Sequence, residues 1–304
     1  MYNNKYDDLV YSDYDNLSLG YCENYYGEKF QTITIWLEDI TQVDIGIIHL
    51  TLSVISFILQ LLIFTSFYNK KELFKSTCFS IIFHHGVLSF IQQICHIITA
   101  IFIILNIMKK YSLFAVIGAL LYSTYIGSIL FILLLTINRF DIMYNISKFY
   151  EEQKKKFYLI GIIVLYFWTV GLFVFYVTPK NNVTFDYLTC QWLYLCLFGL
   201  KIGFEVKNKT VLISLGISFI LQMCIIGKVF SLRFYTQKKA RFVAEDIKIV
   251  IHTFLCFVTT LFVELIWDGA FFEPTKDVIG VIVQQISYIF SSVSNSIYVL
   301  FFVK

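Results

Sequence analysis

LLLTINRFDIMY, residues 133–144, carries an apolar run into a polar ending: three leucines, Thr136 and Ile137 lead directly to Asn138 and Arg139. An arginine at the end of such a run has two readings. Its long stem can lie along apolar surface while the guanidinium reaches the edge of a membrane. Alternatively, the guanidinium faces the interior of a helix bundle, where its planar donors serve recognition. The choice depends on what the apolar run is.

Composition answers that first. Of 304 residues, 58% are hydrophobic, 19% are aromatic, only 15% are charged, and proline occurs twice. Mean hydropathy is +0.72. Ordinary soluble domains are about 45–50% apolar and about 25% charged, so this is the balance of an integral membrane protein. The net charge of +3 gives no footprint for nucleic acid.

A membrane helix needs roughly 20 predominantly apolar residues. Seven such runs can be drawn, at about 43–68, 77–104, 113–137, 157–178, 210–234, 247–272 and 278–303. The expected fold is therefore an all-α membrane protein: a seven-transmembrane helix bundle over 43–304, preceded by an acidic, Tyr-rich arm at 1–42. The arm has no basic n-region or apolar h-region and does not read as a signal peptide.

Lys and Arg near the span ends set the expected orientation. With the N-terminus outside, 14 basic residues fall in the inner segments and nine in the outer ones. The inner set includes the runs Lys154–Lys156 and Lys238-Lys239-Ala240-Arg241. Sequons at Asn16, Asn145, Asn182 and Asn208 give a second vote. The N-outside layout leaves Asn145 bare, crowds Asn208 against the fifth span, and makes Asn16 and Asn182 the expected glycosylation sites. The C-terminus is then inside, and the expected location is the plasma membrane.

On this layout Asn138-Arg139-Phe140 lies at the inner end of the third span, where rhodopsin-like receptors carry an acidic residue followed by Arg-Tyr. The Asn-Arg pair resembles the nematode serpentine chemoreceptors, a divergent branch of those seven-transmembrane G-protein-coupled receptors. FWTVGLFVFYVTP (167–179) and the last span, VIGVIVQQISYIFSSVSNSIYVLFF (278–302), look similar to class T members. GVLS (86–89) sits where the superfamily has Gly-x-x-Asp. The resemblance implies a chemosensory receptor with a small-molecule or peptide ligand outside and a heterotrimeric G protein inside. It implies no catalysis and no cofactor. Asn138, Arg139, Phe140 and Tyr298 are the coupling residues it suggests.

The departures are specific. Ser89 replaces the acidic residue of the second span. No cysteine opens the third span, so the usual bridge to the fourth connector has no partner there. The sixth span lacks Cys-Trp-x-Pro, and the last reads SNSIY, not Asn-Pro-x-x-Tyr.

Polar residues in the outer halves of the spans are the candidate ligand site. Gln92 and His96 are i, i+4, and Glu264, Trp267 and Asp268 are i, i+3 and i+4. Tyr122 and Tyr125 are i, i+3, and Gln284 and Tyr288 are i, i+4, so each set shares a helix face. Such residues also serve as interhelical glue. Glu264 is the strongest hint, because an ionisable group at membrane depth is expensive. A partly acidic, polar-aromatic pocket of this kind suits a small polar or cationic ligand. The seven cysteines show no CxxC spacing, and none of the five histidines forms HxxxH or HExxH. No metal site is expected, and the last span has no histidine to serve a seven-span zinc hydrolase. A channel or transporter remains the alternative, although no internal repeat is visible and both prolines lie at span ends.

Overall fold

A computed structural model describes residues 41–70, 76–106, 111–144, 151–179, 181–186, 190–194, 202–235, 240–267 and 278–302. Among these, seven helices run in chain order: α1 Gln42–Asn69, α2 Thr77–Ile104, α3 Tyr111–Tyr144, α4 Glu151–Val177, α5 Ile202–Tyr235, α6 Ala240–Trp267 and α7 Val278–Phe302. A short hairpin, β1 Val183–Asp186 and β2 Gln191–Tyr194, lies between α4 and α5. Six of the seven helices are long and apolar enough to cross a membrane. The 1–42 arm lies almost wholly outside the described residues.

Helices suit these segments because a bilayer offers no water to unpaired backbone groups, so every peptide must bond within its own segment. Hydroxyl side chains follow the same logic and fold back onto their own helix. Thr51 donates to Ile47 O, Thr99 to Cys95 O, Thr169 to Leu165 O and Thr260 to Cys256 O, all at 2.8–2.9 Å. α1 starts with a capping box, in which Thr41 N–H donates to Asp44 at 2.8 Å and Asp44 N–H returns to the Thr41 hydroxyl. α2 stops at Asn106, whose φ of 51° is the left-handed turn that asparagine tolerates.

α3 is the central helix. It packs against α2, α4, α5 and α6, and β1 lies against it. Its most apolar stretch is 78% buried within the protein, against 28% for α1 and 22% for α4. The outer faces of α4 and α5 carry bare apolar side chains such as Phe167, Trp168, Leu212 and Ile220, which need lipid to cover them.

Four boundaries differ from the sequence expectation by six residues or more, one of them the start of α4 at Glu151, six residues before 157. α3 continues seven residues past Ile137, so Asn138 and Arg139 lie inside the helix and not in a connector. Neighbouring helices bury its polar face, and a hydropathy run ends where apolar residues end, not where the helix does. α5 begins at Ile202, eight residues before 210, which places Lys207 on a helix. α6 begins at Ala240, seven residues before 247.

The hairpin is an addition to the expected fold. Val183 pairs with Tyr194 and Phe185 with Trp192, and Val183 and Trp192 are buried. It rests on Gly118 of α3, where an added Cβ would come 2.5 Å from Val183 O and 2.8 Å from the Trp192 ring. Gln285 of α7 donates to Cys190 O at 2.7 Å and ties the turn to the bundle.

Close helix packing also depends on Gly127 of α3, where a Cβ would meet Thr169 Oγ1 at 2.5 Å and Leu88 Cδ1 at 2.9 Å. Gly171 of α4 has nothing within 4 Å of that position. Gly127→Leu is expected to destabilise by about 1–3 kcal/mol through overpacking, while Gly171→Leu is neutral or slightly stabilising. Thermal unfolding of the detergent-solubilised variants checks this contrast.

Candidate functional site

Two polar clusters occupy opposite ends of α3, one beneath the hairpin and one around Arg139. The hairpin-end cluster is built on an ion pair. Lys207 Nζ of α5 lies 2.6 Å from Glu264 Oε2 of α6, and the two side chains are only 4% and 9% exposed. Tyr125 of α3 donates to the other carboxylate oxygen, Oε1, also at 2.6 Å. Lys207 Nζ stands 5.6 Å from the centroid of the Trp267 ring, within cation–π range. Lys209 and Glu205, on the opposite face of α5, form a 2.8 Å pair that is 74% and 61% exposed. Such a surface pair contributes little; the buried one is a different object.

Aromatic rings wall the buried pair. Tyr122 lies 5.1 Å from Tyr194 of β2, 6.2 Å from Trp267 and 6.4 Å from Tyr288, between centroids. Tyr288 lies 5.0 Å from Tyr125, 5.7 Å from Trp267 and 5.2 Å from His96. His96 in turn shares a 3.1 Å hydrogen bond with His49 of α1. Several buried polar atoms here lack a hydrogen-bond partner among the described residues: the hydroxyls of Tyr122 and Tyr288, the indole N–H of Trp267 and the amide carbonyl of Gln284. Buried polar groups are normally satisfied, so these atoms are open to a ligand or to water; others, in Gln222 and His252 for example, lie elsewhere in the bundle.

A separate shallow groove lies between α1 and α7, lined by Ile45, Ile48, His49, Ile282, Gln285, Ile286 and Ile289. It is apolar apart from His49 and Gln285, and it does not reach the ion pair.

The structure therefore brings His96, Tyr122, Tyr125, Glu264, Trp267 and Tyr288 together, with Gln284 buried on the same helix as Tyr288. Gln92 is buried as well, and its amide reaches Ser128 of α3 at 3.4 Å, a contact between helices. Asp268 lies outside the described residues. Lys207 is the residue sequence reasoning missed, since it was counted in a connector. Its signal was the demand of Glu264 for a counter-charge. The acidic pocket expected for a cation is corrected accordingly: Lys207 already neutralises the carboxylate.

The second cluster lies at the other end of α3. Asn138 and Arg139 are 1% and 3% exposed, which favours the interior-facing guanidinium over a membrane-edge anchor. Asn138 Nδ2 donates to Thr77 of α2 at 3.4 Å. Asp141 accepts from Tyr158 of α4 at 3.3 Å and lies 3.9 Å from Lys154. Tyr158 stands within electrostatic reach of Arg139 as well. Phe140 packs on Tyr144 at 4.6 Å, and Tyr144 donates to Cys224 O of α5 at 2.9 Å. Tyr298 of α7 shares a 2.7 Å hydrogen bond with Thr259 of α6. Deeper in the bundle, Ser296 of α7 donates to Gln60 of α1.

Of the two expected glycosylation sites, Asn16 lies outside the described residues. Asn182 is 3% exposed beside β1, so its amide has little room for a glycan, and that expectation is not supported. No cluster of three or more metal-ligating side chains occurs among the described residues.

No protein-family description and no curated protein matches the chain. Among solved structures, the crystal structure of squid rhodopsin is similar, with a TM-score of 0.57 at 14% identity over 85% of this chain and 76% of that one. At that identity the likeness establishes the fold alone. The chain has the seven-helix fold of rhodopsin-like receptors, and with its apolar helices it is a multi-pass membrane protein.

Proposed function

We propose that the protein is a chemosensory seven-helix receptor of the plasma membrane, with the N-terminus and the hairpin outside and the Arg139 end in the cytoplasm. A small ligand engages the Lys207–Glu264 site. Binding shifts a two-state equilibrium of the bundle, and the cytoplasmic end then engages a heterotrimeric G protein through Asn138, Arg139, Phe140 and Tyr298. The observation that carries this reading is the buried, ring-walled ion pair at the opposite end of the same central helix from a buried Arg139. The chemosensory assignment rests on the resemblance of Asn138-Arg139 and the fourth and seventh spans to that receptor class.

A second-messenger assay in cells expressing the chain, run against a chemical panel, tests the reading. An epitope at the N-terminus should be reached by antibody on unpermeabilised cells. Ligand-evoked current in cells lacking G-protein coupling would instead favour a channel.

Asn138 also sets the resting state on this reading. A neutral amide beside Arg139 can accept a hydrogen bond but forms no ion pair, so Asn138 itself adds no ionic restraint on the guanidinium. Asn138→Asp is expected to lower ligand-independent signalling severalfold at equal surface expression. Unchanged basal signalling would remove this role from Asn138.

A further inference from the structure

We infer that the site takes a zwitterion carrying ammonium and carboxylate on the same carbon atom, as in the head group of an α-amino acid. This rests on the receptor-site reading above and adds the ligand class. The argument is one of charge conservation in a buried place. A simple cation that captured Glu264 would strand Lys207, whose side chain is 4% exposed. The other acid on α5 among the described residues, Glu205, is exposed and already paired with Lys209. A simple anion that captured Lys207 would strand Glu264 with only the Tyr125 hydroxyl. Either outcome leaves an uncompensated charge in the protein interior, which is strongly unfavourable.

A zwitterion avoids both. Its ammonium takes Glu264, its carboxylate takes Lys207, and one ion pair becomes two. The atoms that lack partners suit the same ligand. The hydroxyls of Tyr122 and Tyr288 and the indole N–H of Trp267 can donate to a carboxylate, and the Gln284 carbonyl can accept from an ammonium. The rings lie only 5–6 Å apart between centroids, so they fill the space until the ligand parts them. A ligand side chain that is apolar or aromatic then replaces ring–ring contact with ring–ligand contact. Insertion also separates Lys207 from Glu264, which loosens α5 from α6 and couples occupancy to helix position.

The test uses the purified full chain in detergent and reads thermal unfolding, with no G protein present. Three sets of probes are compared: leucine, methionine, phenylalanine, tyrosine and tryptophan as free amino acids; their methyl esters, which keep only the ammonium; and their N-acetyl derivatives, which keep only the carboxylate. The expected result is a rise in Tm of several degrees with at least one free amino acid, and at least tenfold weaker binding by its ester and its N-acetyl derivative. The response should vanish in Lys207→Met/Glu264→Leu, a variant that removes the charges together and keeps the volume. The inference is overturned if an ester or N-acetyl derivative raises Tm as much as the free acid, if none of the three sets raises it, or if the double variant still responds. A retained Tm shift without any second-messenger response would defeat the receptor reading and leave the ligand class standing. Signalling evoked only by neutral compounds would do the reverse.

Discussion

Lys207→Met is expected to destabilise the bundle by about 3–5 kcal/mol, and Lys207→Met/Glu264→Leu to recover most of that loss. The pair is held at 2.6 Å between two helices and is only 4% and 9% exposed. Removing the ammonium leaves a carboxylate with one hydrogen-bond donor, Tyr125, in a place water reaches poorly. Removing both charges leaves apolar packing of similar volume, which commonly matches or exceeds a buried ion pair in stability. Glu264→Leu alone strands Lys207 and should fall on the destabilised side. Thermal unfolding of the four proteins completes a double-mutant cycle. If the single variants melt with the wild type, the pair is not held as described.

The second large effect concerns Arg139. Arg139→Ala should reduce ligand-evoked second messenger at least tenfold while leaving surface expression and ligand-induced thermal stabilisation in place. The guanidinium is 3% exposed in this structure, so it reaches a partner only when the helices around it part. Its planar fork then offers paired donors to backbone carbonyls, which a lysine cannot present in the same geometry. Arg139→Lys is accordingly expected to recover a minor part of the response. Full signalling by a surface-expressed, ligand-binding Arg139→Ala variant would remove Arg139 from the coupling face.

Much of the frame was legible before any coordinates. The sequence places the seventh span at 278–303, and the helix runs Val278–Phe302; it places the second at 77–104, and the helix has those bounds. Apolar runs report helices faithfully where lipid or core surrounds them on all sides. They fail where a helix turns polar, under the cover of its neighbours at Asn138, Arg139 and Asp141 and on a largely exposed stretch at 202–209. The hairpin escaped because four residues of alternation in each strand are too few to stand out beside WLYLCLFGL, which follows the same apolar logic as a span.

Glu264 was legible as a site residue because an acid at membrane depth needs a reason to be there. Its partners were not. Lys207 lies 57 positions away along the chain and Tyr125 lies 139 away, and no periodicity links them. Gln92 shows the same gap: the sequence places it on one helix face with His96 but does not show that its amide meets Ser128 of α3.

The sequence by itself determined that the chain forms seven helices and in what order, because backbone groups in hydrocarbon must bond within their own segment and each segment declares itself locally. Only the tertiary structure decided that Glu264 is neutralised by Lys207, that aromatic rings from α3, α6, α7 and β2 close around the pair, and that Arg139 faces inward. Those outcomes depend on the rotation of each helix about its axis and on which helices meet, and packing sets both.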